Sequence, residues 1–307
     1  MSWEFELVAG PYSTATDGPV WDGSGVLFTQ VGDQKIWRYD PWSGNTIEFR
    51  RYTSRTTRLA FSADGILYGA QSGSRRIVKF NPDGSTNQLM DRIDGKYHNH
   101  PFDLAVDSQG RIWFSDPYSV IPTRGPQIYP TLDYAAVLRQ ERPAPGSRDW
   151  VIRRLTRDTA NPGAVLLSQD EGTLYLMERN PLNVEEGKRE LRAYPVQSDG
   201  TLGTSRVLQT FGYDARGVHR AVSGMCLDQE GNIVACAGWE RSGPGPTVMV
   251  ISPEGRVLES HPAPVDQPTN CCFGGADLGV LYVTTAGGHL YRANDTGRKG
   301  WALYPGA

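Results

Sequence analysis

The sequence predicts an all-β protein, a six-bladed β-propeller, because one hairpin phrase recurs six times along its 307 residues. In each copy an apolar strand turns at an acidic or glycine-containing pair into a second apolar strand, which is the pattern of a β-hairpin. A second hairpin phrase follows each copy, so each unit supplies four strands. The six copies are WDGSGVLFT, FSADGILYG, VDSQGRIWF, LSQDEGTLYL, LDQEGNIVA and FGGADLGVLYV.

The spacing of these units matches the length of a propeller blade. Subtraction gives spacings of 40, 45, 62, 59 and 48 residues between the turn glycines Gly25, Gly65, Gly110, Gly172, Gly231 and Gly279. Units of about 40 to 50 residues with four strands are typical of propellers, in which each blade covers the face of its neighbour. We therefore expect residues 1–307 to form a single domain. The two long spacings predict insertions, and the first, which begins at Tyr118, is expected to lie over a binding site.

Composition excludes several classes of protein. A net charge of −3, from 31 basic and 34 acidic residues, gives no reason to expect a nucleic-acid partner. The sequence lacks a signal-peptide pattern and any run of about 18 apolar residues, so we expect a cytoplasmic protein with no membrane partner, a monomer or a weak homo-oligomer. Four cysteines without a C-x-x-C pair predict buried thiols. There is no G-x-G-x-x-G loop and no G-x-S-x-G elbow.

Two short segments carry histidines suited to proton transfer near neutral pH. In GKYHNHPFD an extended chain would place His98, His100 and Phe102 on one face, since alternate residues point to the same side. The alternative for His98 is a rim histidine bonded to a backbone carbonyl. In RGVHRAVSGM, His219 precedes Arg220, which could hold a carboxylate through two contacts. The alternative there is a solvated loop.

Five phrases identify a family resemblance over nearly the whole chain. They are DGPVWDGSGVLFTQVGDQKIWRYDP, NHPFDLAVDSQGRIWFSDP, NPGAVLLSQDEGTLYL, SGMCLDQEGNIVACAG and TNCCFGGADLGVLYVTTAGGHLYR. Their order and spacing resemble those of the gluconolactonase/regucalcin (senescence marker protein) family of six-bladed propellers. The resemblance implies a lactonase with one divalent cation at the top of the central channel, where the metal polarises the lactone carbonyl and a carboxylate manages the attacking water.

The metal positions that the resemblance implies are mostly replaced. The glutamate of the family phrase EGPVW corresponds to Asp17, the asparagine of PNG to Gly163, and the aspartate of DGM to Ser223. A divalent cation bound by oxygen needs several ligands, at least one or two of them charged. We therefore expect no cofactor and no cation at the family position, with Asp17 and Ser223 as ligands if a cation is bound.

Substrate positions differ as well. The asparagine of the family phrase PND corresponds to Phe102, beside His100, and Asp103 is retained as an expected structural bracket. The asparagine of NGL corresponds to Thr57, and Arg58 follows it. Phe102 in place of an amide predicts a substrate less polar than a sugar lactone.

The sequence thus predicts a lactonase-like hydrolase of a small lactone or ester, with the family metal site lost or rebuilt. The alternatives are a metal-independent lyase, isomerase or cyclase that uses pocket histidines, and a non-enzymatic propeller that binds a small molecule. The candidate catalytic residues are His100, His219, His98, Arg58 and Arg220. The candidate substrate-binding residues are Asp17, Phe102, Tyr118, Ser223, Asn99 and Glu178.

Overall fold

A computed structural model describes residues 2–118, 130–144, 146–179 and 188–304, and it confirms the six-bladed propeller. Six antiparallel sheets follow one another along the chain, and their innermost strands contact one another in a closed ring. The described ranges contain no helix long and apolar enough to cross a membrane. The predicted insertions fall largely on residues 119–129 and 180–187, which lie outside the described residues.

The first three blades account for the first half of the chain, and strands are numbered here in chain order, beginning with β1 (Glu6–Ala9). Blade 1 contains β2 (Thr16–Trp21), β3 (Val26–Gln30), β4 (Lys35–Tyr39) and β5 (Thr46–Arg51). Blade 2 contains β6 (Thr56–Phe61), β7 (Leu67–Gln71), β8 (Arg76–Phe80) and β9 (Thr86–Gln88). After a short ribbon, β10 (Arg92–Ile93) and β11 (Lys96–Tyr97), blade 3 contains β12 (Leu104–Val106), β13 (Ile112–Asp116), β14 (Ala136–Glu141) and β15 (Val151–Arg154).

The second half repeats the pattern. Blade 4 contains β16 (Pro162–Leu167), β17 (Thr173–Arg179), β18 (Arg189–Pro195) and β19 (Arg206–Thr210). A second ribbon, β20 (Tyr213–Asp214) and β21 (Gly217–Val218), precedes blade 5, with β22 (Gly224–Asp228), β23 (Ile233–Trp239), β24 (Ser242–Ile251) and β25 (Val257–Pro262). Blade 6 contains β26 (Pro268–Gly274), β27 (Val280–Thr285) and β28 (Leu290–Ala293), and β29 (Gly300–Trp301) returns to pair with β22.

The ring is closed by strand pairing between the two ends of the chain. Strand β1 is the outermost strand of blade 6, where it pairs antiparallel with β28. Glu6 lies opposite Arg292 and forms an ion pair with it, at 2.7 Å between Oε2 and Nε. The first strand of the chain, β1, therefore completes the last blade, blade 6.

The core lies between the blades rather than within one continuous interior. Trp113 of β13, for example, is 1% exposed and packs with Val165, Leu174 and Tyr194 of blade 4. Its indole N–H donates to the Asp107 carboxylate, so the buried polar atom is satisfied. This packing explains the repeat: a lone four-stranded sheet cannot bury both faces, and each neighbour covers one of them.

All four cysteines are free, and they pack in one hydrophobic cluster that includes strands of blades 5 and 6. The Sγ atoms of Cys226 and Cys271 are 3.5 Å apart. Burial raises the pKa of Cys272 well above its ordinary value, which keeps that thiol protonated. The cysteines therefore serve as packing residues, as the sequence predicts.

Candidate active site

A buried ion pair lies where the innermost strands of blades 1 and 2 meet. Asp17 of β2 and Arg58 of β6 are 3.0 Å apart between Oδ1 and Nη1, and the Arg58 side chain is 1% exposed. The strands approach this closely because residue 18 is a glycine with φ of +52°: a Cβ there would stand 2.8 Å from the Arg58 backbone. Asp17 Oδ1 also accepts the Gly18 N–H at 2.8 Å. Both contacts use Oδ1 rather than Oδ2.

The guanidinium of Arg58 reaches across the channel. Its Nη2 donates to the Ser223 carbonyl of blade 5 at 2.8 Å. Its Cζ lies 5.0 Å from the centroid of the Phe102 ring, on the segment that enters blade 3. One side chain thus joins three of the positions at which the sequence departs from the family pattern.

A second arginine completes the set. Arg179, at the end of β17, places its Cζ 4.4 Å from the Phe102 ring centroid. Its Nε and Cδ occupy the space that a side chain at Gly163 would need. Thr57 Oγ1 donates to the Phe102 carbonyl at 2.6 Å. Contacts of Arg58 and Arg179, together with the bond from Thr57 to Phe102, therefore link all five substituted positions around one site: Asp17, Thr57, Phe102, Gly163 and Ser223.

The buried carboxylates and guanidinium groups of this site shift one another's pKa values. Burial raises the pKa of Asp17, and the charges of Arg58, Arg220 and Arg179 oppose this rise. Burial raises the pKa of Asp103 to about 6. The two Asp103 oxygens accept the N–H groups of Leu104, at 2.9 Å, and Val165, at 3.1 Å, so Asp103 is the structural bracket that the sequence predicts.

Comparisons with known proteins show which family the chain belongs to. Residues 15–287 match the family model described as SMP-30/Gluconolactonase/LRE-like region. The chain is 26% identical over 294 residues to a gluconolactonase of Zymomonas mobilis, covering 89% of this chain and 77% of that one. It is 45% identical over 279 residues to regucalcin of Oryctolagus cuniculus, covering 88% and 82%. The chain belongs to the SMP-30/gluconolactonase family.

A solved member of the SMP-30/gluconolactonase family has the same architecture. The structure of a gluconolactonase from Xanthomonas campestris superposes with a TM-score of 0.77 at 25% identity, over 95% of this chain and 89% of that one. The sequence resemblance and the six-bladed fold are therefore both confirmed.

The side chains present at the family's cation position do not fit a divalent cation. The Asp17 carboxylate is paired with Arg58, the Ser223 carbonyl accepts a bond from Arg58, and Arg179 fills the space beside Gly163. A guanidinium charge at this place repels a cation. Within the described ranges, no three His, Cys, Asp or Glu side chains are grouped as metal ligands. That the protein needs no cofactor stays a prediction.

His100 lies beside the arginines. Its backbone N–H donates to Asp116 Oδ1 at 2.7 Å, and its ring is partly buried. Burial, and then the charges of Arg55, Arg179 and Arg75, lower the pKa of His100 to about 4. The imidazole is consequently neutral at pH 7 and able to accept a proton, although a pKa this low makes it a weak base.

His98 does not share a face with His100 and Phe102, and this expectation from the sequence is wrong. Residues 98–103 form no strand, because the Asp116 carboxylate accepts the N–H groups of both Asn99 and His100 and bends the chain. The His98 ring is fully buried with its edge on Phe114, and its Nε2 lies 3.3 Å from a backbone carbonyl, that of Met90. These contacts match the structural alternative for His98, and its catalytic role stays a prediction.

We expect His98→Phe to lessen the acid sensitivity of folding. Burial lowers the pKa of His98 from 6.5 to about 4. Between these pH values the His98 imidazole is therefore protonated in the unfolded chain and neutral in the folded protein. Stability from this site is thus complete above pH 6.5 and is lost as the pH falls toward 4. Between pH 7 and pH 5, the free energy of unfolding of the variant should improve by about 2 kcal/mol relative to the wild type, measured by urea denaturation. An equal difference at both pH values would contradict this explanation.

His219 and Arg220 point to different surroundings. His219 Nε2 lies 3.6 Å from Asp214 Oδ2, in the ribbon that precedes blade 5, and the His219 ring packs on Gly243. Arg220 turns to the channel, where its Nη1 donates to the carbonyls of Gly238, at 3.1 Å, and Pro268, at 2.9 Å. Of this predicted pair, only Arg220 adds charge near Asp17.

Three other predicted residues are more peripheral. Asn99 is buried and donates to the Tyr134 carbonyl at 2.7 Å. Glu178 is 1% exposed and accepts the backbone N–H groups of Ala160 and Asn161, which anchors the entry into blade 4 as Asp116 anchors the entry into blade 3. Tyr118 is 51% exposed at the edge of the described residues. Substrate contacts of these three residues stay predictions.

Two arginines of the site, Arg55 and Arg75, are not among the residues that the sequence singles out, and Arg179 is predicted only to lie beside Glu178, where a fourth-blade strand ends near the channel. A signal for Arg179 existed, because a glycine at the fourth-blade position leaves room that a long neighbouring side chain can fill. Arg55 and Arg75 lie in turns of blade 2, and no phrase of the repeat distinguishes them from solvent-exposed residues.

Proposed function

We propose that this protein is a lactonase-type hydrolase that works without a divalent cation at the family position. The observation that carries the proposal is the Asp17–Arg58 pair, a positive charge held beside a carboxylate where the resemblance implies a cation beside its ligands. The gluconolactonases among its relatives support lactone hydrolysis. Fixed guanidinium donors in a site that excludes water can stabilise a developing oxyanion, the task that a metal otherwise performs.

The reaction divides between the two members of the pair. Water adds to the lactone carbonyl carbon while Arg58 N–H groups donate to the carbonyl oxygen as its negative charge grows. Asp17 Oδ2 accepts the proton of the water. The bond between the carbonyl carbon and the ring oxygen then breaks, the ring oxygen takes the proton, and a hydroxy acid leaves. Neutral His100 is the second candidate carrier of that proton.

The contacts of Phe102 bear on the predicted substrate. Two guanidinium groups lie within 5.0 Å of its ring centroid, so part of the apolar surface expected from Phe102 is already in use for cation–π contacts. A substrate less polar than a sugar lactone would have to bury its apolar part against charged groups, which is costly. We therefore favour a lactone that has a polar or charged substituent.

The test is hydrolysis of a panel of γ- and δ-lactones, followed by proton release at constant pH, with the metal content of the same sample measured by mass spectrometry. We expect less than one equivalent of any divalent metal and a change of less than twofold in rate after treatment with EDTA. A stoichiometric metal whose removal abolishes turnover would refute the proposal.

Lyase or isomerase chemistry is the second candidate. It is favoured by the neutral His100 ring beside the arginine charges, since the imidazole could remove a proton α to a carbonyl that the arginines polarise. Reaction in H₂¹⁸O separates the two classes. Hydrolysis places one ¹⁸O atom in the product carboxylate, whereas a lyase or isomerase product contains none. A propeller that only binds its ligand would show saturable binding with no product.

A further inference from the structure

The described part of the site has more positive than negative groups. Four carboxylates lie in or beside it: Asp17, which is paired with Arg58, Glu178, which interacts with Arg179, and Asp103 and Asp116, whose pKa values burial raises to about 6 and about 7. Five guanidinium groups surround them, those of Arg55, Arg58, Arg75, Arg179 and Arg220. The excess is positive at neutral pH.

Arg179 is poorly compensated. Its Nε atom is buried and has no hydrogen-bond partner within the described ranges, and its guanidinium rests on the Phe102 ring. Burial, and next the charge of Arg58, lower the pKa of Arg179 to about 10, so the side chain remains charged at neutral pH. A buried charge without a partner is costly unless a ligand supplies one.

Arg55 and Arg75 belong to the same region, because the charges of both act on His100. They occupy adjacent turns of blade 2 that are tied together, with Ser72 Oγ donating to the Arg55 carbonyl at 2.9 Å and Gly73 N–H to the Ser54 carbonyl at 3.0 Å. Both arginines have left-handed backbones, with φ of 55° and 54°. That conformation is uncommon for residues other than glycine, asparagine and aspartate.

The fold does not require arginine at either position. Gln267 stands immediately before β26 as Arg55 stands before β6, and its φ is also 55°. Gln34 precedes β4 as Arg75 precedes β8, and its φ is 56°. A neutral side chain thus satisfies the same backbone elsewhere in the ring, so the charge in blade 2 needs an explanation other than folding.

We propose that the lactone substrate carries an anionic group, a carboxylate, sulfonate or phosphate, and that Arg179, Arg55 and Arg75 bind it beside His100. That the substrate is a lactone rests on the proposed function, whereas the anionic group rests on the arginines alone. Guanidinium groups bind carboxylate and phosphate oxygens through paired N–H donors. Because Arg58 is held beside Asp17, it serves the reacting carbonyl, and the other three arginines serve the anion.

Kinetics with a matched pair of lactones tests the specificity. The neutral member is γ-butyrolactone, and the anionic members are the same ring with a carboxylate or a sulfonate on the γ carbon. We expect kcat/KM for an anionic member to exceed that for the neutral one at least tenfold. The more active anionic member distinguishes planar from tetrahedral recognition.

Substitutions assign the preference to the arginines. Arg179→Gln should reduce the ratio of kcat/KM for the anionic lactone to kcat/KM for the neutral one at least tenfold. Arg55→Gln, which copies the residue at the equivalent position in blade 6, should reduce this ratio several-fold. Arg256→Gln is the matched control, because Arg256 is an exposed arginine in the turn before β25, and its ratio should equal that of the wild type. Equal kcat/KM values for neutral and anionic lactones in the wild type would overturn the proposal.

Calorimetric titration with glutarate and with inorganic phosphate separates failure of this inference from failure of the proposed function. If no lactone is hydrolysed, the anion site is still supported when either anion binds and its binding is weakened at least tenfold by Arg179→Gln and several-fold by Arg55→Gln, but not by Arg256→Gln. If neutral lactones are hydrolysed and neither anion binds, the anion site is wrong and the hydrolase stands.

Discussion

Arg58→Met is expected to cost both stability and activity, more than any other single substitution in the site. It leaves the Asp17 carboxylate buried without its partner, and breaking a buried ion pair from one side typically costs about 3–5 kcal/mol. It also removes the donor nearest the carboxylate, for which a loss of about a hundredfold or more in kcat is usual. Urea denaturation and initial rates on the best lactone measure the two effects.

A double variant separates these two effects. Asp17→Asn/Arg58→Met removes both charges, so most of the lost stability should return while activity stays low. Arg292→Met, which breaks the more exposed ion pair with Glu6, is the control and should cost less than about 1 kcal/mol. Wild-type rates in the folded double variant would show that the Asp17–Arg58 pair is structural and would remove the basis of the proposed mechanism.

The architecture could be predicted from the sequence because the hairpin phrase that forms each blade occurs six times. Each hairpin phrase is locally complete: alternation gives the strands, and the turn residues supply the reversal. Even here the turns vary, since Gly65, Gly110 and Gly231 have positive φ, whereas Glu171 and Leu278 take that conformation one residue before Gly172 and Gly279. The repeat tolerates this shift because pairing of the flanking strands, rather than one glycine, defines the hairpin.

The site could be predicted only in part, since its positions follow from the aligned phrases and its contacts do not. The phrases place Asp17, Phe102 and Ser223 near one channel. Whether Arg58 forms a surface salt bridge or crosses that channel depends on distances between blades 1, 2 and 5, which no local pattern contains. The bend at Asn99 has the same origin: it depends on the Asp116 carboxylate of a different strand, 17 residues later.

We expect His100→Ala to lower kcat/KM about a hundredfold, at the lower end of the usual contribution of a general acid or base, and His219→Ala to lower it less than tenfold. The sequence offers both histidines equally, but their surroundings differ. His100 is neutral beside Arg179 and the ion-paired site, whereas His219 faces Asp214 in the ribbon before blade 5. Both variants should unfold within a few degrees of the wild type, because His100 and His219 are only partly buried. Equal losses in the two variants, or a larger loss for His219→Ala, would move the proton-transfer site toward blade 5 and would make Arg220, rather than Arg179, the arginine that acts beside it.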